Sequence, residues 1–310
     1  MRAVVGTPEG RTPSSAQPRG TRGSTPRVGA RGRAPLLDYL ELSKSRIVLM
    51  VLITTAAGYL IAAPQIDALL LLQTLIGTAL VAAGTNALNQ YVEREHDAKM
   101  RRTRLRPLPD GRITPRAALT FSAAVAIIGT LYLGVAVNWL TAALGAFTLT
   151  SYIFVYTPLK RVSSICTIIG AVPGAIPPLM GWTAATNHLG LGGWIAFAIL
   201  FFWQLPHFMA LSWIYREDYA GAGFYMSSAT AARQAVLFSL ALLAVSVAPS
   251  FIGITGVAYG IGAVICGVVL LAMSIRFFFD RSNHTAMRLF MTSNFYLIVV
   301  MTLLVVSARA

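Results

Sequence analysis

Charge is scarce in this sequence, and acidic charge is scarcest. Only 12% of the 310 residues are Asp, Glu, Lys or Arg, and 11 are acidic. Soluble domains run nearer 25% charged, which argues against a soluble globular enzyme. Cysteine is almost missing. Cys166 and Cys266 cannot make a disulfide framework, and each stands alone in an apolar stretch without metal-ligand spacing, so both read as core. A Gly-rich nucleotide loop and a Ser/His/Asp spacing are also lacking. What fills the chain is apolar: 56% hydrophobic, mean hydropathy +0.66. Against this background 25 Lys+Arg leave a net charge of +14. In a soluble chain that excess would suggest nucleic acid; in one this apolar it points to membrane topology.

Residues 1–37 carry seven Arg and one acid, Glu9, among many Gly, Pro, Ser and Thr. Such a segment buries too little to offset its ordering entropy, so it reads as a disordered basic tail ahead of a membrane domain over 38–310. It has no apolar h-region and is not a secretory signal. Its Arg-rich, acid-poor composition also suits an organellar transit peptide, but its Gly and Pro content favours a plain cytoplasmic tail. From about Arg46 onward, apolar stretches recur at the ~20 residues needed to cross a bilayer core. The predicted spans are 47–63, 69–92, 117–136, 139–156, 164–184, 191–215, 234–252, 256–275 and 288–308. The fold class is therefore all-α and polytopic, with nine helices. With the tail inside, 24 of the 25 basic residues fall on the cytoplasmic side, and only Arg309 lies outside. Ten of the eleven acids lie there too, Asp67 being the exception. This positive-inside pattern predicts an N-in, C-out orientation.

The second span ends in N-A-L-N-Q-Y-V-E-R-E-H-D. Asn89, Glu93 and Asp97 are spaced i, i+4, i+8 and stay within about 80° on one helix face, with Asn86 and Gln90 on the same stripe. Polar side chains stacked at the end of a membrane helix face protein or a cavity, not lipid. Carboxylates one turn apart repel, and a hard divalent cation relieves that repulsion. Mg²⁺ characteristically takes one or two carboxylates together with phosphate oxygens. Lys99, Arg101, Arg102, Arg104, Arg106 and Arg112 follow, so a metal-bridged polyphosphate suits the combination. The sixth span closes with W-Q-L-P-H-F-M-A-L-S-W-I-Y-R-E-D-Y, which places His207 about three turns deeper than Asp218. The loop Y-T-P-L-K-R adds Tyr156, Lys160 and Arg161 on the same predicted side. His188 and His284 fall outside this cluster, and His96 points about 100° away from Asp97.

These residues resemble a known family. N-x-x-x-E-x-x-x-D at Asn89, Glu93 and Asp97, followed by M-R-R-T-R-L-R-P-L, is similar to the first aspartate-rich motif of the UbiA superfamily of intramembrane prenyltransferases. Y-T-P-L-K-R, G-A-V-P-G-A-I-P-P-L-M-G-W and F-F-W-Q-L-P-H-F resemble the branch that farnesylates protohaem IX. The resemblance covers about residues 36–308. It implies a helical bundle with a central cavity opening near the cytoplasmic side. The implied reaction joins the farnesyl group of farnesyl diphosphate to a vinyl group of haem b, giving haem O. By the same resemblance Asn89, Glu93, Asp97 and Asp218 hold Mg²⁺ and are catalytic. Arg102, Arg106, Tyr156, Lys160 and Arg161 bind diphosphate. We expect His207 and Trp203 to meet the haem, since imidazole is a usual axial ligand of haem iron, and Trp203, Phe202 or Tyr152 to steady an allylic cation. Glu93 stands where the superfamily often has Asp, and 222–234 lacks the longer Pro-rich stretch of the pattern. The resemblance implies a bacterial plasma membrane, with the mitochondrial inner membrane as the other reading, and a haem A synthase or oxidase assembly factor as partner. Other acceptors, aromatic or chlorophyll-like, are the nearest alternative, against which W-Q-L-P-H at 203–207 argues. A transporter is disfavoured because the acids sit at one rim and none lies at the midplane.

Overall fold

The computed structural model describes residues 35–224 and 230–309, and every regular element among them is a helix, with no strand. A short helix α1, Pro35–Leu42, leads into α2, Ser45–Ala62, and α3, Ala68–Asp97. Then come α4, Pro115–Ala136, and α5, Trp139–Thr150, which continues through a π-helical turn, Ser151–Tyr156, into α6, Thr157–Leu159. The remaining helices are α7, Cys166–Thr186; α8, Leu191–Ile214; α9, Arg216–Gly221; α10, Ala231–Phe251; α11, Val257–Phe279; and α12, Asn283–Arg309. Nine stretches among the described residues are long and apolar enough to cross a membrane. Each overlaps one predicted span. The largest departures are at the polar ends: the second span runs on to Asp97 and the ninth starts at Asn283. Most of the predicted tail, 1–34, lies outside the described residues. The first described helix, α1, begins at Pro35. Part of the 222–234 stretch, 225–229, also lies outside them.

Helix starts are legible in the chemistry. Asp67 accepts from the Leu70 amide at 3.0 Å, and Asn138 from the Thr141 amide at 2.8 Å. Thr114 caps α4 ahead of Pro115 at its first position. The helices then close a ring. Each of α2, α3, α4, α5, α7, α8, α10, α11 and α12 packs on the next, and α12 returns to α2 and α8. The outward faces are apolar, as Ile127, Leu131 and Val135 on α4 show, and suit lipid rather than water. The innermost helix is α7, 67% of whose span is buried against 28–33% for α2–α5. Its crossing with α2 depends on two glycines. A Cβ on Gly58 would lie 1.9 Å from the Pro178 carbonyl oxygen, and one on Gly181 would lie 1.9 Å from that of Thr55. Small residues at such a crossing let the backbones touch.

Candidate active site

The C-terminal ends of α3, α6 and α8 and the N-terminal ends of α2 and α7 meet at one end of the bundle. They enclose a pocket of about 180 Å³. Asn89, Glu93 and Asp97 all line it, as the 3.6-residue period requires. They are buried at 1%, 5% and 1% exposure, an unusual cost for polar groups that only partners can offset.

Each acceptor has a cation from a different element. Lys160 Nζ donates to Glu93 Oε1 at 2.8 Å, and Arg106 Nη1 donates to Asp97 Oδ2 at 2.6 Å. Lys44 Nζ donates to Asn89 Oδ1 at 3.0 Å, and the Asn89 amide donates in turn to Thr157 Oγ1 at 3.3 Å. Thr157 donates to the Tyr152 carbonyl, 2.8 Å away across the π turn. Wide turns of this kind recur at functional sites, and here the turn brings Tyr152, Tyr156 and Lys160 to the same pocket. The Lys160 ammonium sits 4.3 Å from the centre of the Tyr156 ring and 6.0 Å from that of Tyr152.

Four cationic side chains, Lys44, Arg102, Arg106 and Lys160, line the pocket against two carboxylates. The balance shows in the two lysines outside the spans. Burial would lower the Lys160 ammonium, but Tyr156 and Glu93 beside it hold it well above its ordinary value. Lys44 has an amide for its partner, and burial, reinforced by Arg106, pushes it down to about 7. Electrostatically the pocket lacks an anion. It also has one place for a cation: Asp97 Oδ1 is buried and accepts no hydrogen bond. A carboxylate oxygen left over in this way, with Glu93 and the Asn89 amide on the same stripe, fits an oxygen-preferring divalent ion.

Seven sequence-predicted residues are brought together here: Asn89, Glu93, Asp97, Arg102, Arg106, Tyr156 and Lys160. Four others do not line the pocket. Arg161 is exposed, with a long 3.4 Å contact to the Val92 carbonyl. Asp218 is half-buried on the short helix α9, and its neighbour Tyr219 reaches the pocket instead. No group of three or more His, Cys, Asp or Glu gathers among the described residues, so the acidic pair is completed by an amide. His207 and Trp203 turn toward α12, where the His207 Nδ1 lies 3.0 Å from Ser293 Oγ and the Trp203 indole donates to the Ser293 carbonyl at 2.5 Å. The helical period explains the split, because Gln204, Phe208 and Leu211 occupy the face of α8 toward α7 and the pocket. Of the aromatics, Tyr152 lines the pocket, while Phe202 and Trp203 pack on the α10–α12 core. Sequence reasoning missed Lys44, which lines the pocket, and Thr157, which lies inside the quoted Y-T-P-L-K-R and supports Asn89 from behind. Nothing local marks either for that role.

The sequence pattern of the UbiA prenyltransferase family matches residues 51–298. The chain is 45% identical over 276 residues to a protoheme IX farnesyltransferase of Solibacter usitatus, covering 84% of this chain and 94% of that protein. It is 40% identical over 273 residues to the mitochondrial protoheme IX farnesyltransferase of Homo sapiens, covering 87% of this chain and 62% of that one. A solved UbiA homologue from Archaeoglobus fulgidus, bound to GPP and Mg²⁺, has the same fold. Its TM-score is 0.60 at 14% identity, over 86% of this chain and 99% of that one.

Proposed function

The chain belongs to the UbiA prenyltransferase family, and we propose that it transfers a farnesyl group from farnesyl diphosphate to a vinyl group of haem b, giving haem O. The observation that carries this reading is the pocket where acceptors on α3 each face a cation from another element. The names borne by relatives up to 45% identical supply the prenyl donor and the acceptor. In the reaction the bond from farnesyl carbon to diphosphate oxygen breaks, its electron pair leaving with diphosphate. The vinyl π electrons form the new carbon–carbon bond, and water supplies the hydroxyl group and releases a proton.

Asn89, Glu93 and Asp97 would hold Mg²⁺, which when bound supplies neutralisation of charge on the departing diphosphate. Asp218 stays outside that set. Arg106, Lys160 and Arg102 offer charge-assisted donors to the diphosphate oxygens, fixed in place before the reaction, and Arg161 lies at their edge. Tyr152 and Tyr156 present ring faces where the prenyl carbon becomes cationic. His207 and Trp203 mark the acceptor side. The Ser293 hydroxyl donates to the Phe290 carbonyl at 2.7 Å, so it can only accept from His207 Nδ1, leaving Nε2 as the lone pair for iron. The basic excess at the pocket end supports reading that end as cytoplasmic, with the N-terminus inside and the C-terminus outside, and the bacterial relatives support a bacterial plasma membrane.

The test is incubation of purified protein with haem b, farnesyl diphosphate and Mg²⁺, followed by mass spectrometry. A product heavier than haem b by a farnesyl and a hydroxyl group is expected. Farnesylation of a different acceptor, with haem b unchanged, would refute the acceptor assignment.

A further inference from the structure

The α7 segment G-A-V-P-G-A-I-P-P-L-M-G-W and the α8 segment F-F-W-Q-L-P-H-F meet below the pocket, at Gly174 and Gln204. Gly174 lies seven residues beyond Thr167 and Gln204 seven before Leu211, and both Thr167 and Leu211 line the pocket. Seven residues return a helix to within about 20° of the same face, so Gly174 and Gln204 continue the pocket-facing sides of α7 and α8 about 10 Å deeper. Gly174 is exposed there, although α7 is the innermost helix and Pro173 and Ala175 on either side are buried. The polar groups at this place are acceptors. Gln204 is 4% exposed, and its Nε2 donates to the Ala171 carbonyl at 2.7 Å, which fixes the orientation of the amide. Its Oε1 is thereby turned to Gly174, where a Cβ would lie 2.3 Å from it, and it accepts no hydrogen bond among the described residues. The Pro173 and Gly174 carbonyls lack their usual helical donors, because the residues four further on are Pro177 and Pro178.

Acceptors without donors inside an apolar bundle are costly unless an O–H or N–H reaches them. A farnesyl chain has neither, and the vinyl edge of haem b has neither. Water has two O–H groups, needs two to four polar partners to be held in a protein interior, and is consumed once per turnover. Resting on the haem-farnesylation reading above, we propose that Gln204 binds the water that completes the reaction, with the Gly174 carbonyl as its second acceptor. When the vinyl π electrons have formed the carbon–carbon bond, positive charge lies on the vinyl carbon attached to the porphyrin ring. The water donates to Gln204 Oε1 and to the Gly174 carbonyl, which leaves an oxygen lone pair for attack. That pair forms the carbon–oxygen bond, one O–H bond breaks, and its proton passes to the diphosphate released in the same turnover. Without a held water the same cation loses a proton from the neighbouring carbon instead, and the product is an alkene lighter by one water.

Mass spectrometry of the products made by the full chain in detergent, from haem b, farnesyl diphosphate and Mg²⁺ in isotopically labelled water, tests this. The readout is the ratio of hydrated to water-free farnesylated haem, which a merely structural role would not move. Gln204→Met keeps the length of the side chain and removes the amide. Gly174→Ala leaves the amide in place chemically but puts a methyl group against Oε1 and pushes it aside. The wild type should give the hydrated product carrying the label. In both variants the ratio should fall at least tenfold, the size of one lost hydrogen bond to the attacking water, while farnesylated haem still forms. An unchanged ratio in either variant would overturn the proposal, whatever happens to the rate. So would loss of all farnesylated product in both, because the amide would then be needed before water enters. A wild type that gives no farnesylated haem would remove the underlying haem reading as well, and the wild-type reaction alone tells that failure apart.

Discussion

Removing Lys160 should cost stability as well as activity, and the two losses should separate. Lys160 and Glu93 meet at 2.8 Å, with side chains 13% and 6% exposed. At an effective dielectric near 20 their attraction is about 6 kcal/mol, most of it consumed in desolvating the two charges. Breaking such a pair from one side is a different matter, because it leaves a buried charge alone, at about 3–5 kcal/mol. Lys160→Met, which keeps the length of the chain, should therefore lower the melting temperature in detergent by on the order of 10 °C. Lys160→Met combined with Glu93→Gln removes both charges and should recover most of that loss. Activity should not recover, since both the diphosphate donor and the metal ligand are gone; about 10²–10³ in rate is expected for each lost stabilising group. The assay is intrinsic tryptophan fluorescence on heating, paired with haem product formation. Lys160→Met unfolding within about 2 °C of wild type would refute the buried-pair argument, and so would a double variant no more stable than the single one.

Three further outcomes follow from the geometry. Asp97→Ala should abolish product formation and weaken the Mg²⁺ requirement of pyrophosphate binding; a variant that keeps both would place the metal elsewhere. Gly181→Leu should fail to assemble or should lose several kcal/mol, because its Cβ alone would clash with the Thr55 carbonyl of α2; wild-type melting would show that the crossing can open. His207→Ala should remove the haem-binding change in the visible absorption spectrum, and Ser293→Ala should weaken haem binding about 10- to 100-fold through lost ring orientation. Unaltered spectra in His207→Ala would remove that residue from the acceptor side.

The stripe on α3 was legible because an α-helix keeps a fixed angle per residue: Asn89, Glu93 and Asp97 had to share a face wherever the helix packed. Arg106 and Lys160 were legible as cations near acids, though not their one-to-one pairing. The same local rule gave no access to faces on other helices. On α8 it could not say that Phe208 and Leu211 meet the pocket while His207 and Trp203 meet α12, since that depends on how α8 is rotated against its neighbours. Asp218 lay on the expected side in sequence, yet its short helix brings Tyr219 to the pocket instead.

What the amino-acid order determined by itself is set by solvent and by short-range repeat. Apolar runs interrupted by capping residues make nine helices among the described residues long and apolar enough to cross a bilayer, and the distribution of charge leaves one end polar. What only the tertiary structure decided is set by close approach between distant segments. The left-handed turn at Lys44, the π turn after Thr150 and the Gly58–Gly181 crossing are conformations that no residue prefers alone. They exist because packing elsewhere in the bundle holds them. The turns at Lys44 and after Thr150 bring Lys44, Asn89 and Thr157, far apart in the chain, within hydrogen-bonding distance.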